Sequence, residues 1–415
     1  MREFWDVKSV EETLGVLRRF KPVGTDVVRL PDALGRVLAV DVSSAEDIPA
    51  FDRSMVDGYA VRAEDAAGAS ESSPVELRVA GEVFMAQTAD FALGTGEAAE
   101  VPTGGMVPEG ADAVVMVEYT DIPRDGYVAV SKAVVPGERV LKRGKDIACG
   151  EVILENGTLL APRHLGMLAA VGVVELTVYR TVRVAVISTG DELVPPDETP
   201  PLGKVRDINT TVLHAALLED GAEPMIMGLV PDDETALRDA VASALDRSDF
   251  VLVSAGSSVG TRDITLDIIE SFDDSEVFVH GVKMRPGKPT ILARVANKPV
   301  MGLPGHPASV TVCYSVIVRP LLRRLAGHSD SELVRYIDRH KGVVTAELDR
   351  NVASLIGRED RLRVSLALED GLLVASPIYG PSGAISTVGK ADGWIVIDAN
   401  TEGYMKGQPV EVELI

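Results

Sequence analysis

The chain has 415 residues, room for two to four domains at about 150 residues each. Apolar residues make up 46% and charged residues 25%, the composition of a folded globular protein and not of a disordered one. Acidic residues outnumber basic ones by 63 to 41, and the formal charge of −22 repels nucleic acid and anionic lipid, so neither is an expected partner.

Cys149 and Cys313 form no CxxC pair and cannot make a disulfide framework. The six histidines show no HxxxH spacing, which argues against a zinc site. Residues 1–15 mix acidic and basic side chains and lack the apolar centre of a signal peptide. Residues 299–318 carry no charge, but Pro299, Pro304 and Pro307 break the run into a strand, a turn and a helix, which is no membrane span. A cytoplasmic protein is expected.

Residues 7–20 predict a helix with Val10, Leu14 and Leu17 on one face, opened by Ser9 with Glu12 three residues on, as in a capping box. From residue 48 to 146, short alternating runs such as 75–79 and 113–117 between Gly and Pro turns predict antiparallel strands. Residues 147–178 predict a helix near 164–170 flanked by short strands. The period then changes. Mostly apolar runs at 182–187, 224–230, 249–253 and 299–303 alternate with helical segments at 210–220, 233–246, 263–271 and 307–326. That alternation predicts a parallel sheet covered on both faces. Beyond Gly327 the strands shorten again (363–368, 372–375, 394–397, 410–415), as in a small all-β domain.

Ligands of an open parallel sheet bind beyond the C-terminal ends of its strands. Three strand ends here carry small residues: Ser188, Thr189, Gly190, Asp191 and Glu192; then Ser254, Gly256, Ser257, Ser258 and Gly260; then Pro304, Gly305 and Ser309. Such loops let backbone N–H groups approach an anion, and a following helix N-terminus adds a favourable dipole. A single loop of this kind is a plain turn; three together predict a phosphorylated or otherwise anionic ligand. Arg285 and Lys288 flank a proline-stiffened turn and can hold an oxyanion between them. The carboxylates Asp57, Asp146, Asp191, Glu192 and Asp263 offer hard oxygens suited to Mg²⁺. Asp207 and Asp233 stand near helix starts and read as caps, and His306 as structural or peripheral. No Ser–His or Cys–His nucleophile pair is evident, so attack by water or a small oxyanion is expected over a covalent enzyme intermediate.

At these residues the chain resembles the molybdopterin molybdenumtransferase family (MoeA, and the E domain of gephyrin-like proteins). The motifs are Pro49-Ala-Phe-Asp-Arg-Ser-Met-Val-Asp-Gly-Tyr-Ala-Val61, Pro102-Thr-Gly-Gly-Met-Val-Pro-Glu-Gly-Ala-Asp112, Ser188-Thr-Gly-Asp-Glu192, residues 254–260 with Asp263, Arg285-Pro-Gly-Lys-Pro289, and residues 302–309. They run in order through essentially the whole chain. The resemblance implies an elongated four-domain homodimer: a mixed helical/β linker domain (1–46 plus 147–178), a β-rich domain (47–146), a doubly wound, mostly parallel α/β molybdopterin-binding domain (179–327) and a C-terminal β-barrel-like domain (333–415). The implied substrates are adenylylated molybdopterin and molybdate or tungstate, the implied product besides the metal-loaded cofactor is AMP, and Mg²⁺ is the implied cofactor, with Glu192 and Asp263 as metal ligands. Asp57, Thr103, Asp146, Glu192, Asp232 and Asp263 match the family's functional polar positions. Arg285 and Lys288 match its oxyanion-binding cations, with Arg363 and Ser382 contributing from the last domain. The chain departs from the family at Ala255, where glycine is usual, at His306, where asparagine is common, and at Lys145, where an acid is common. Two other readings remain at this point. One is an adenylyltransferase that makes the adenylylated pterin, and the other a non-catalytic scaffold.

Overall fold

The computed structural model describes residues 7–255, 264–329 and 342–415. The first helix, α1 (Val10–Val16), starts as its sequence dictates. Ser9 Oγ accepts the Glu12 N–H at 3.0 Å while Glu12 Oε2 accepts the Ser9 N–H at 2.6 Å, so two otherwise unpaired donors are satisfied at once.

One compact unit comprises Val40–Glu155 and Pro162–Glu175, including helix α2 (Pro162–Ala170). Its six-stranded sheet is built from β1 (Gly58–Val61), β2 (Val75–Glu82), β3 (Glu97–Val101), β4 (Ala113–Met116), β5 (Thr120–Arg124) and β6 (Tyr127–Val130). The spatial order is β4-β1-β3-β2-β6-β5. Alternation places Tyr59, Val61, Ala113 and Val115 in one core and Ala60, Ala99, Val101 and Val114 in another. The sheet is not wholly antiparallel as expected: β2 and β3 pair in parallel. Residues 83–96 join them, and a parallel pair needs a crossover of about that length.

The second unit takes the remaining described residues, and two large sheets dominate it. The first consists of β7 (Arg183–Thr189), β8 (Glu223–Val230), β9 (Phe250–Ala255), β10 (Ser275–His280), β11 (Ile291–Val295) and β12 (Lys298–Pro304), in the order β8-β7-β9-β12-β11-β10. The four anticipated strands are parallel, and β11 and β10 add an antiparallel edge. Val184, Val186, Leu252 and Met301 pack to one side with Leu213 and Leu217 of α3 (Asn209–Glu219). Ala185, Ile187, Val251 and Val253 pack to the other, against α4 (Glu234–Arg247) and α5 (Ile264–Glu270). Both faces of β7, β9 and β12 are dry, which is why these strands read as continuous apolar runs, whereas β8 at the edge is half-exposed. The long helical segment divides into α6 (Pro307–Cys313), a wider π turn (Tyr314–Val318) and α7 (Arg319–Leu325). The wider turn falls just before Pro320, which has no N–H to give to a carbonyl one turn back. Buried Asp220, at the end of α3, accepts from Tyr314 Oη at 2.7 Å and Arg319 Nε at 2.8 Å and ties α3 to this segment.

The last sheet comprises β13 (Val343–Leu348), β14 (Glu359–Glu369), β15 (Leu372–Pro377), β16 (Gly393–Ile397) and β17 (Pro409–Leu414). Pairing runs β14-β15-β13-β17-β16 and returns from β16 to β14, so five strands close into a barrel with no free edge among them. Ala346, Val364, Ala375, Ile395 and Val412 fill it.

Candidate functional site

The carboxyl ends of β7, β9 and β12 meet at one edge of the parallel sheet. Ser188 and Thr189 are still within β7 and are buried, where the sequence suggested a loop. Ser188 Oγ and Thr210 Oγ1 lie 2.8 Å apart, and Thr189 Oγ1 donates to Asp232 Oδ1 at 2.7 Å. Asp191 and Asp232 accept each other's backbone N–H groups, at 3.3 and 3.4 Å. A Cβ on Gly190 would stand 2.7 Å from Glu192 Oε2, so the missing side chain is what lets the Glu192 carboxylate lie over the strand end. Asp233 caps α4 through the Ala236 N–H at 2.8 Å, and buried Asp207 accepts the Thr210 N–H at the start of α3. Gly256, Ser257, Ser258, Gly260 and Asp263 lie outside the described residues.

Asn209 was not anticipated. From the first turn of α3 its Nδ2 donates to Ser254 Oγ at 2.9 Å and to the Gly305 carbonyl at 2.8 Å, joining the ends of β9 and β12. Its Oδ1 is buried with no partner among the described residues. The signal for it was an amide side chain opening an otherwise apolar helix after a turn acid.

A second cluster in the same unit joins the end of β12, the Arg285 turn and the barrel. Arg285 is exposed on a short strand running alongside Glu359 and Asp360 of β14, and Lys288 is exposed in the turn that follows. The turn packs down on α6: a Cβ on Gly287 would lie 2.6 Å from Met284 Cε and 3.0 Å from Cys313 Sγ, and Thr290 Oγ1 donates to the Gly287 carbonyl at 2.7 Å. Burial pushes the Cys313 thiol up to about 12, so it serves packing and not nucleophilic chemistry. Arg363, from β14, reaches the Gly380 carbonyl at 3.4 Å with Nη2, while its Nε and Nη1 are buried and have no partner among the described residues. Burial lowers its pKa, though a guanidinium keeps its charge. Ser382 docks on the start of α6 twice: its carbonyl accepts the Ala308 N–H at 3.1 Å, and its Oγ is 2.9 Å from His306 Nδ1. Pro304 ends β12, and Ser309 is buried in the first turn of α6.

In the first unit, Asp57 sits exposed in the turn before β1. Its Oδ1 accepts both the Thr103 N–H at 2.7 Å and the Thr103 hydroxyl at 2.9 Å. The Thr103 N–H, followed by its hydroxyl, holds the Asp57 carboxyl below the usual range. Gly58 makes this turn possible, because a Cβ there would meet the Val115 carbonyl oxygen at 1.9 Å. Asp146 is exposed, with its backbone N–H bonded to the Ile48 carbonyl at 3.0 Å.

Among the described residues, no group of three or more His, Cys, Asp or Glu side chains is placed to hold a metal ion. The side chains of Thr189, Asp191, Glu192 and Asp232 at the sheet end offer oxygens only, the ligand type a hard cation takes when substrate phosphates complete its shell. Among the same residues no helix is long and apolar enough to cross a membrane.

Residues 8–172 match the MoeA N-terminal region (domain I and II), residues 185–324 a probable molybdopterin binding domain, and residues 345–415 the MoeA C-terminal region (domain IV). A putative molybdopterin biosynthesis protein of Methanocaldococcus jannaschii is 36% identical over 397 residues, covering 94% of this chain and 92% of that protein. The molybdopterin molybdenumtransferase of Bacillus subtilis is 31% identical over 411 residues, covering 98% and 94%. The crystal structure of the molybdopterin biosynthesis MoeA protein from Pyrococcus horikosii is similar with a TM-score of 0.81 at 39% identity, covering 98% of this chain and 99% of that one.

Proposed function

Because the chain belongs to the MoeA family, we propose that it is a molybdopterin molybdenumtransferase, which takes adenylylated molybdopterin and molybdate, places the metal in the dithiolene and releases AMP. The observation that carries this reading is the second cluster: in a protein of net charge −22, Arg363 holds the Gly380 carbonyl, two residues before Ser382, and keeps two buried donors without a partner among the described residues. Donors without a partner suit a small oxyanion, and Arg285 and Lys288 supply further positive charge on the neighbouring turn. Tungstate is a close chemical alternative at the same residues.

At the sheet end, Gly190, Ser254, Pro304, Gly305 and Ser309 would line the nucleotide and pterin phosphates, while Ser188, Thr189, Asp191 and Asp232, whose polar groups are bonded within the protein, would shape the strand ends around them. Glu192 and Asp263 would hold a Mg²⁺ ion, which when bound would neutralise charge on the phosphoanhydride. Asp57, kept ionised by Thr103, and Asp146 would orient the attacking oxygen of water or molybdate. They belong to the other compact unit, and we propose a homodimer in which two chains complete each site. The adenylyltransferase and scaffold readings are not favoured, because transferases match this chain along nearly its full length.

The protein incubated with adenylylated molybdopterin should release AMP in step with added molybdate, and should not adenylylate molybdopterin when given ATP. Mixed Asp57→Ala and Glu192→Ala proteins should regain up to roughly a quarter of wild-type activity through random subunit pairing. AMP release that is indifferent to molybdate would refute the function. Absence of complementation despite verified exchange would refute the shared site.

A further inference from the structure

His306 lies outside the residues assigned to ligand binding, yet its ring nitrogen Nδ1 is 2.9 Å from Ser382 Oγ. The contact is not incidental. The same loop is anchored by the Ala308 N–H on the Ser382 carbonyl at 3.1 Å, and a Cβ on Gly383 would come within 3.5 Å of His306 Cδ2. At the other end of the loop, the Gly380 carbonyl accepts from Arg363 Nη2.

A serine hydroxyl has one proton to give, and an imidazole nitrogen either accepts that proton or donates its own. If Nδ1 accepts, the Ser382 proton is used up on the ring and the hydroxyl shows only lone pairs to a ligand. If Nδ1–H donates, the Ser382 O–H is free to point away from the ring. An oxyanion offers acceptors only, so it selects the second arrangement.

We propose that His306 is a positioning residue for oxyanion capture: by donating from Nδ1 to Ser382 Oγ, it turns the Ser382 hydroxyl into a donor toward molybdate. The inference rests on the reading of Ser382 as part of the oxyanion site. It makes no use of a direct contact between His306 and substrate.

The side-chain amide of asparagine can stand where Nδ1 stands and donate through its N–H₂, whereas leucine fills the space with no donor. His306→Asn should therefore keep the molybdate KM within about threefold of wild type, and His306→Leu should raise it roughly tenfold, the loss expected for one hydrogen bond to a charged ligand. The KM for adenylylated molybdopterin and the kcat should change less than about twofold in both. Ser382→Ala should cost about as much as His306→Leu, and the double variant should cost little more than either single one. A His306→Asn protein as impaired as His306→Leu would overturn the proposal. So would effects of His306→Leu and Ser382→Ala that multiply, or equal weakening of both substrates. Calorimetric titration of wild type with molybdate separates the two levels of argument. No saturable binding would refute the oxyanion site itself, while saturable binding left unchanged by His306→Leu would refute only the role of His306.

Discussion

Replacing Arg363 with methionine should move stability and oxyanion affinity in opposite directions. Methionine keeps a long flexible stem and removes the guanidinium. Among the described residues and without an anion, the wild-type side chain has one long hydrogen bond, Nη2 to the Gly380 carbonyl at 3.4 Å, and two buried nitrogens with no partner. An unsatisfied buried donor costs ~1–3 kcal/mol, and the lower end applies to a side chain that is only half-buried. The weak bond lost is worth no more than ~1 kcal/mol. The unliganded variant should thus be as stable as wild type, or more stable by about 1 kcal/mol. With molybdate the balance reverses. Loss of charge-assisted contacts should weaken binding by ~1.5–3 kcal/mol, about tenfold to a hundredfold, and remove the stabilisation that a bound ligand confers. Thermal unfolding with and without molybdate, together with calorimetric titration, measures both quantities. An Arg363→Met protein that is clearly less stable without anion, and that binds molybdate as tightly as wild type, would refute the reasoning.

Which parts of the molecule could be read from sequence follows from what periodicity encodes. The Ser9 to Glu12 box and the two dry faces of the parallel sheet were legible because each is a local pattern of side chains. The parallel pairing of β2 and β3 was not, since alternation along a strand is the same whichever way its neighbour runs. The edge strands β10 and β11 and the barrel strand β13 were missed for a related reason. They are short, and the clear period of their neighbours set the expectation for the whole region. In the site, hydroxyl residues ending an apolar run read as loop, yet Ser188 and Thr189 are buried strand residues whose hydroxyls are taken by Thr210 and Asp232. Asp57 and Thr103 are far apart in sequence, and only their resemblance to family motifs linked them before the carboxylate was seen to accept from Thr103 twice. Asn209 had no such motif, and a lone amide at a helix start reads as a cap until the strand ends it joins are known.

The first unit yields two further expectations. Thr103→Val keeps the backbone N–H bond to Asp57 and removes the hydroxyl. The folded-state pKa of Asp57 lies below its ordinary value, so the charged form is fully present at neutral pH and is lost as pH falls through that lowered value. The valine variant should lose its charge at a higher pH than wild type, and an unchanged midpoint in a carboxyl NMR titration would contradict the role of the hydroxyl. Gly58→Ala tests whether the Asp57 turn depends on close backbone approach. The added methyl would stand 1.9 Å from the Val115 carbonyl oxygen, 2.9 Å from its carbon and 3.1 Å from Met116 Cα, all of them backbone atoms of β4 that cannot swing aside as a side chain can. Strands β1 and β4 must part, and overpacking of this kind costs ~1–3 kcal/mol or more. The Val117 N–H to Asp57 carbonyl bond, 3.0 Å long, links the same strand pair to the turn, so the carboxylate shifts with it. Faster hydrogen exchange across β1 and β4 should accompany a large fall in AMP release. A Gly58→Ala protein with wild-type exchange and wild-type turnover would show that Asp57 does not depend on this contact.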